Sequence, residues 1–244
     1  YIENTFLNRD DTNNIDEALL KVAVHSDINE QLSIKFNVLL ADIDNGYDAF
    51  SLKNTRSTTS DQPGSDSQDT LAASITLLWN THQSYDIEAV FNSANTDTLY
   101  SYDEDWSYIG EFDAGTGPYS TADRYERDRK NQSLDIRLVS KVDQKIWNDR
   151  SDWVLGIYQR SEDETLKQSR SEDLLPKIGG DFSNQYDTDN YALYGQLTTA
   201  LNDRWNLITG LRIEQRDADY SDSRDISEDT SDIYFGGRLA LEYQ

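Results

Sequence analysis

The stretch YALYGQLTTALNDRWNLITGLRIEQR, from Tyr191 to Arg216, constrains the fold more than any other part of the chain. Tyr191, Leu193, Leu197 and Leu201 share one parity, and beyond the polar break NDR the same parity continues through Trp205, Leu207, Leu211 and Ile213. Between them stand Gln196, Thr198, Asn206, Arg212, Glu214 and Arg216. Successive side chains of a strand point to opposite faces, so this period of two places an apolar row back to back with a charged one. Two environments want such strands: water outside with a protein core inside, or lipid outside with a wet interior.

The pattern recurs as hairpins. Ala18, Leu20, Val22 and Val24 lead into the turn SDINE and return as Leu32, Ile34, Phe36, Val38 and Leu40. Leu71, Ala73, Ile75, Leu77 and Trp79 lead into NTHQS and return as Tyr85, Ile87, Ala89 and Phe91. Leu134, Ile136 and Leu138 precede the wider break DQKIWNDRS, with Trp153, Leu155 and Ile157 after it, and Ile233, Phe235, Leu239, Leu241 and Tyr243 form a closing row. The opening YIENTF reads as the tail of a further strand. The connections between hairpins, residues 43–69, 96–130, 161–190 and 217–231, are long and thick with Asp, Ser, Asn and Tyr. An up-and-down sheet with this rhythm gathers its short turns at one end and its long loops at the other, as outer-membrane barrels do.

Alternation alone leaves a soluble β-sandwich, solenoid or small soluble barrel open. Lipid is favoured by the second row, which carries both signs of charge: Asp86, Glu88, Asp135, Arg137, Lys141, Arg212, Glu214, Arg238 and Glu242. It is also favoured by aromatic residues near strand ends, Trp79, Tyr85, Trp153, Tyr191, Trp205 and Tyr243, where interfacial girdles sit. No apolar run approaches the length of a membrane helix, but a spanning β-strand needs only about 9–11 residues.

Composition closes off several functions. Lys+Arg 22 against Asp+Glu 46 gives a formal net charge of -24, which repels nucleic-acid phosphates, so no nucleic-acid partner is expected. The chain has no Cys, hence no disulfide, thiolate metal site or thiol nucleophile. No G-x-S-x-G, P-loop or H-E-x-x-H pattern occurs, and no catalytic residue, metal site or cofactor is expected. His25 and His82 fall beside short turns and read as solvated. DIDNGYD resembles a calcium loop, but Gly46 stands where that pattern wants Asp or Asn; DADYSDSRD is carboxylate-rich without a ligand spacing.

Several segments resemble TonB-dependent outer-membrane receptors. The hairpin from Tyr191 carries an aromatic-Gly-Gln strand (Tyr194, Gly195, Gln196), an Asp-Arg turn (Asp203, Arg204) and a Gly-x-Arg strand (Gly210, Arg212). QSLDIRLVS resembles the same family's Ser-x-acid-x-Arg-Leu strand through Ser133, Asp135, Arg137 and Leu138; DWVLGIYQRSEDE is similar to the strand and acidic loop that follow it, and GGRLALEYQ resembles a further barrel strand. The resemblance covers residues 131–244 by motif and 1–130 by rhythm. It implies an all-β fold: an antiparallel up-and-down transmembrane β-barrel, partial, with about nine or ten strands, short periplasmic turns and long extracellular loops. Such receptors have about 22 strands and a plugged lumen, so residues 1–244 are expected to form a middle portion of the barrel with no plug domain. The implied function is active uptake of a bulky, scarce ligand such as a ferric siderophore. The implied partners are a TonB-type energy-coupling protein acting through a plug, outer-membrane lipid and lipopolysaccharide, and a small-molecule or metal-chelate ligand. A passive porin-like channel and a soluble acidic domain binding carbohydrate or protein are the alternatives.

Two sets of site residues follow. The loop YSYDEDWSYIGEFDAGTGPYS interleaves Tyr100, Tyr102, Trp106 and Tyr108 with acids, and aromatic residues supply rigid contact area, so these four are the candidate ligand-binding residues of an extracellular mouth. On the barrel reading Arg137, Arg212, Glu214 and Arg238 line the lumen.

Overall fold

The computed structural model describes residues 2–111, 120–173 and 181–243. Nine long strands form one antiparallel sheet: β2 (Glu17–Asp27), β3 (Leu32–Tyr47), β5 (Gly64–Trp79), β6 (Tyr85–Asp103), β7 (Ser120–Ser140), β8 (Ser151–Asp173), β9 (Phe182–Ala200), β10 (Trp205–Asp222) and β11 (Ser227–Tyr243). Each pairs with its neighbours in sequence, so the topology is up-and-down, and the sheet is open rather than closed on itself. The two remaining strands, β1 (Glu3–Asn4) and β4 (Ser57–Thr58), form a separate parallel pair. YIENTF is therefore not a tenth strand of the sheet. Its Asn4 is buried, where the side-chain amide donates to Asp48 (2.9 Å) and to the Ser60 carbonyl (2.8 Å), and those polar partners draw the segment away from the wall.

Short turns are set locally. Asn29 Oδ1 accepts the N–H of Gln31 (2.8 Å) and Leu32 (3.0 Å), and Asn202 Oδ1 accepts those of Arg204 (2.9 Å) and Trp205 (3.1 Å). These side chains stand in for the next turn of backbone. Register then carries parity across the whole sheet. Ile34, Leu77, Ala89, Ile136, Ile157, Leu193, Ile213 and Phe235 lie opposite one another in a single row. One residue along, on the other face, Leu78, Glu88, Arg137, Gly156, Tyr194, Arg212 and Gly236 form another.

The two faces invert the habit of a water-soluble protein. Large apolar residues stand open on the apolar face, with Leu211 78%, Phe235 80% and Leu239 78% exposed, whereas the buried apolar residues Ala41, Ala192 and Ile208 (8%, 8% and 6%) sit among the polar side chains of the opposite face. On β9 and its turn the apolar row runs from Tyr191 to Leu201. Ten steps of ~3.3 Å on a strand tilted by ~40° span ~25 Å, the height of the apolar band of a transmembrane barrel. Aromatic residues crowd the short-turn end: Trp205 and Tyr243 rings lie 5.0 Å apart, Tyr85 and Trp153 6.1 Å, and the His82 ring stacks on Tyr85 at 4.3 Å.

At the other end of the band every apolar row gives way to aspartate. Asp42, Asp69, Asp97 and Asp128 are register partners on β3, β5, β6 and β7. Asp163, Asp187, Asp219 and Asp229 are partners on β8 to β11, two residues nearer the short turns. A step between rows is what a level border across tilted strands produces. Beyond this border the strands continue. The polar segments 96–103, 120–130, 161–173, 182–190 and 217–222 are paired strand, not loop. Alternation is lost there because both faces meet water, while pairing persists through the backbone. DIDNGYD likewise belongs mostly to β3, and among the described residues no group of three or more His, Cys, Asp or Glu is arranged to hold a metal ion.

Candidate functional site

The end of the sheet remote from the short turns carries a cleft of ≈ 580 Å³ on the polar face, lined by Phe50, Tyr100, Tyr102, Trp106, Tyr125 and Arg127 among others. Tyr100 and Tyr125 are register partners on β6 and β7, and Tyr102 follows two residues on, so the pleat alone sets three phenols on one face. Tyr47, from the end of β3, joins them: its ring lies 5.0 Å from Tyr100 and 5.9 Å from Phe50. Phe50 in turn stacks on Trp106 at 4.9 Å with the planes 10° apart. The result is a continuous aromatic wall drawn from three separate parts of the chain.

Trp106 is held in place by acids. It takes φ 59°, a left-handed conformation unfavourable for a residue with Cβ. Asp103 Oδ1 offsets this by accepting the N–H of Trp106 (2.9 Å) and of Asp105 (3.0 Å). Asp105 in turn accepts the backbone N–H and hydroxyl of Ser107 (3.0 and 2.7 Å) and the N–H of Thr121 (2.8 Å), which ties the segment to β7. Burial pushes the Asp103 carboxyl up to about 6, with the charge of Asp105 adding to it. Gly64 opens β5 where a Cβ would stand 1.9 Å from the Ser101 carbonyl oxygen, so only glycine admits this approach of β5 to β6.

Phenol chemistry follows from the same burial. Tyr100 is shifted upward and Tyr102 is raised to about 12, first by burial and then by neighbouring phenol or carboxylate groups, so both hydroxyls keep their protons at neutral pH. The Tyr102 hydroxyl donates to Asp123 at 3.3 Å, and Tyr125 accepts from Gln168 Nε2 at 3.0 Å. Arg127 is met by Glu164 at 3.2 Å.

Three of the four aromatic residues singled out in the sequence thus meet in the cleft, but Tyr100 and Tyr102 stand on strand β6 rather than in a loop. Tyr108 is turned elsewhere and stacks on Phe6 at 4.5 Å. Residues 112–119 of the same segment lie outside the described residues. Phe50, Tyr125 and Arg127 were not legible as site residues, because only the register of β3, β5, β6 and β7 brings them together.

Nearer the short turns, Arg137, Arg212, Glu214 and Arg238 all occupy the polar face. Arg137 pairs with Glu88 at 2.6 Å and Arg212 with Glu214 at 2.7 Å, and Asn190 Nδ2 donates to Glu214 at 2.7 Å. The Arg212 guanidinium lies 5.1 Å from the Tyr158 ring centroid and 5.8 Å from that of Tyr194. This face largely neutralises its own charge, which suits a wet surface that binds no single ion strongly.

The sequence pattern of the family described as TonB dependent receptor-like, beta-barrel matches residues 19–244. No curated protein sequence is matched. Among solved structures, the ferric yersiniabactin uptake receptor FyuA from Yersinia pestis superposes with a TM-score of 0.68 at 13% identity, covering 98% of this chain and 36% of its own. The copper transporter OprC gives 0.63 at 14% identity, covering 97% and 35%. BauA, the ferric preacinetobactin receptor from Acinetobacter baumannii, gives 0.60 at 14%, covering 92% and 37%. At such identities the likeness is one of fold, and the chain spans about a third of the length of each.

Proposed function

The chain belongs to the TonB-dependent receptor-like β-barrel family, and from that premise we propose that it forms wall and mouth of an outer-membrane receptor that takes up a bulky ligand by energy-coupled transport. The observation that carries the reading is the pairing of opposite faces on one sheet. An exposed apolar band of ~25 Å is what lipid requires, and the ionic face behind it is what a wet lumen requires. On this reading Arg137, Arg212, Glu214 and Arg238 line that lumen, short turns face the periplasm, and the aromatic cleft opens at the extracellular rim. The segment is one portion of the barrel domain. It performs no covalent chemistry; a plug and a TonB-type protein supply closure and energy, while lipid and lipopolysaccharide cover the apolar face. The neighbours' ferric and copper cargoes make a metal chelate the first ligand class to examine.

The test is genetic and direct. Deleting the gene should abolish accumulation of the radiolabelled ligand, and deleting the energy-coupling partner should abolish it equally. Accumulation that survives loss of the coupling partner, together with steady conductance of the full-length protein in a planar bilayer, would replace this reading with a passive channel.

A further inference from the structure

Resting on the uptake reading, we propose that the Phe50–Trp106 cleft selects a ligand without negative charge, one that presents flat ring faces edged with hydrogen-bond donors. Neutral oligosaccharides and uncharged metal chelates share that chemistry.

The first ground is shape. Phe50 and Trp106 are stacked almost parallel, and Tyr100, Tyr102 and Tyr125 continue the surface. Such rings hold sugar or other ring faces by contact area and contribute little conformational-entropy cost, having few rotatable bonds. The second ground is the state of the cations. Arg127 lines the cleft but faces Glu164 at 3.2 Å. Arg129, next along the same face, is paired with Glu164 and with Glu162. Arg170 is paired with Glu104. An anion entering here would have to displace a carboxylate from a guanidinium, exchanging one charged partner for another without gain.

The third ground is the surrounding charge. Residues 97–111, which supply Tyr100, Tyr102 and Trp106, include Asp97, Asp103, Glu104, Asp105 and Glu111 and no Lys or Arg. On the wall itself the Asp123 carboxylate accepts from the Tyr102 hydroxyl at 3.3 Å, so acceptor oxygen stands beside the rings. An ionised carboxylate only accepts, so the polar edge of the aromatic wall asks for donors: hydroxyl or amide N–H groups. The protonated phenols add donors and acceptors but no phenolate, so a metal would arrive enclosed in its own chelate rather than bind these tyrosines.

The experiment is a calorimetric titration of the full-length protein in detergent with three probes: a neutral hexasaccharide, an uncharged ferric trihydroxamate and an anionic ferric tricatecholate. At least one uncharged probe should bind saturably, about tenfold or more tighter than the anionic chelate, and Trp106→Ala should weaken it by about tenfold. Glu164→Gln, which releases Arg127, should narrow the gap by improving the anionic probe about threefold or more. Which uncharged probe binds tells oligosaccharide from chelate. Equal or tighter binding of the tricatecholate, no saturable binding of either uncharged probe, or no effect of both variants would overturn the charge rule. Coupling-dependent accumulation of an anionic ligand would overturn it while leaving energy-coupled uptake standing; loss of coupling dependence would do the reverse.

Discussion

The Tyr194 hydroxyl on β9 donates to Asp135 on β7, 2.8 Å from Oδ1 and 3.0 Å from Oδ2, by crossing the intervening strand β8 at Gly156. A Cβ on that glycine would stand 2.3 Å from Tyr194 Cζ. Three strands are thus locked by one ring that lies across a residue with no side chain. Gly156→Val should eject the ring and cost about 1–3 kcal/mol in unfolding from detergent, as overpacked sites do. Tyr194→Phe keeps the ring and should lose only about 1 kcal/mol, the net worth of a hydrogen bond. Denaturant titration followed by the gel-shift of heat-modifiable barrels reads both.

Leu211 stands mid-band on the apolar face and is 78% exposed. Leu211→Arg should destabilise the protein in bilayers by about 2–4 kcal/mol, the cost of a cation near the midplane. Ser227→Arg, on the same face of the sheet but beyond the aspartate border, should be close to neutral. Similar effects at the two positions would contradict the assignment of the band to lipid.

Asp103 titrates against the folded state. Its carboxyl is raised to about 6 by burial, above the ~3.9 of an unfolded aspartate. Between those values the folded protein holds the proton that the unfolded chain has released, so stability falls as pH rises from about 4 to about 6 and stays reduced above. Asp105, the Ser60 hydroxyl and the N–H groups of Asp105 and Trp106 are the partners that set this balance. Melting curves across that window should slope for the native protein and flatten for Asp103→Asn. An unchanged slope in the variant would assign the pH dependence to other carboxylates.

The aspartate rows oppose like charges directly across strand pairs. Asp97 shows the strain: its carboxyl is pushed up by desolvation, then by hydrogen bonding to Asp128 and by the charges of Asp128 and Asp69. Replacing it with Asn should stabilise the sheet by about 0.2–1 kcal/mol at neutral pH, the scale of a cross-strand pair. Salt should shrink the difference by screening. A destabilised Asp97→Asn protein would mean that the row is held by something the carboxylate binds.

Parity made the fold legible: Ile136, Ile157, Leu193 and Ile213 are each apolar at every second step, and their register in the sheet follows from that fact once the short turns are placed. Strand length was not legible in the same way. Between Ser120 and Lys130 charges occupy both faces, so the sequence offers no period although β7 is fully paired there. Of the cleft, Tyr100, Tyr102 and Trp106 were visible as aromatics within one acidic stretch. Phe50 and Tyr125 were not, since proximity across β3 to β7 is a matter of pairing and not of local pattern. Tyr108 shared the local pattern and still went to Phe6, because the left-handed step at Trp106 redirects the chain.

The aspartate border has one further consequence, which concerns depth. A carboxylate drawn into hydrocarbon loses several kcal/mol of hydration, and eight of them stand in the two rows across β3 and β5 to β11. The wall therefore cannot sink past that waterline, while the tryptophans and tyrosines at the opposite end resist being pulled up through theirs. The protein carries its own draught mark. With immersion pinned from both sides, Tyr125, three residues beyond Asp128 on β7, rides at a fixed ~8 Å above that waterline. On the uptake reading proposed above, the cleft would then meet its ligand at one constant height above the membrane.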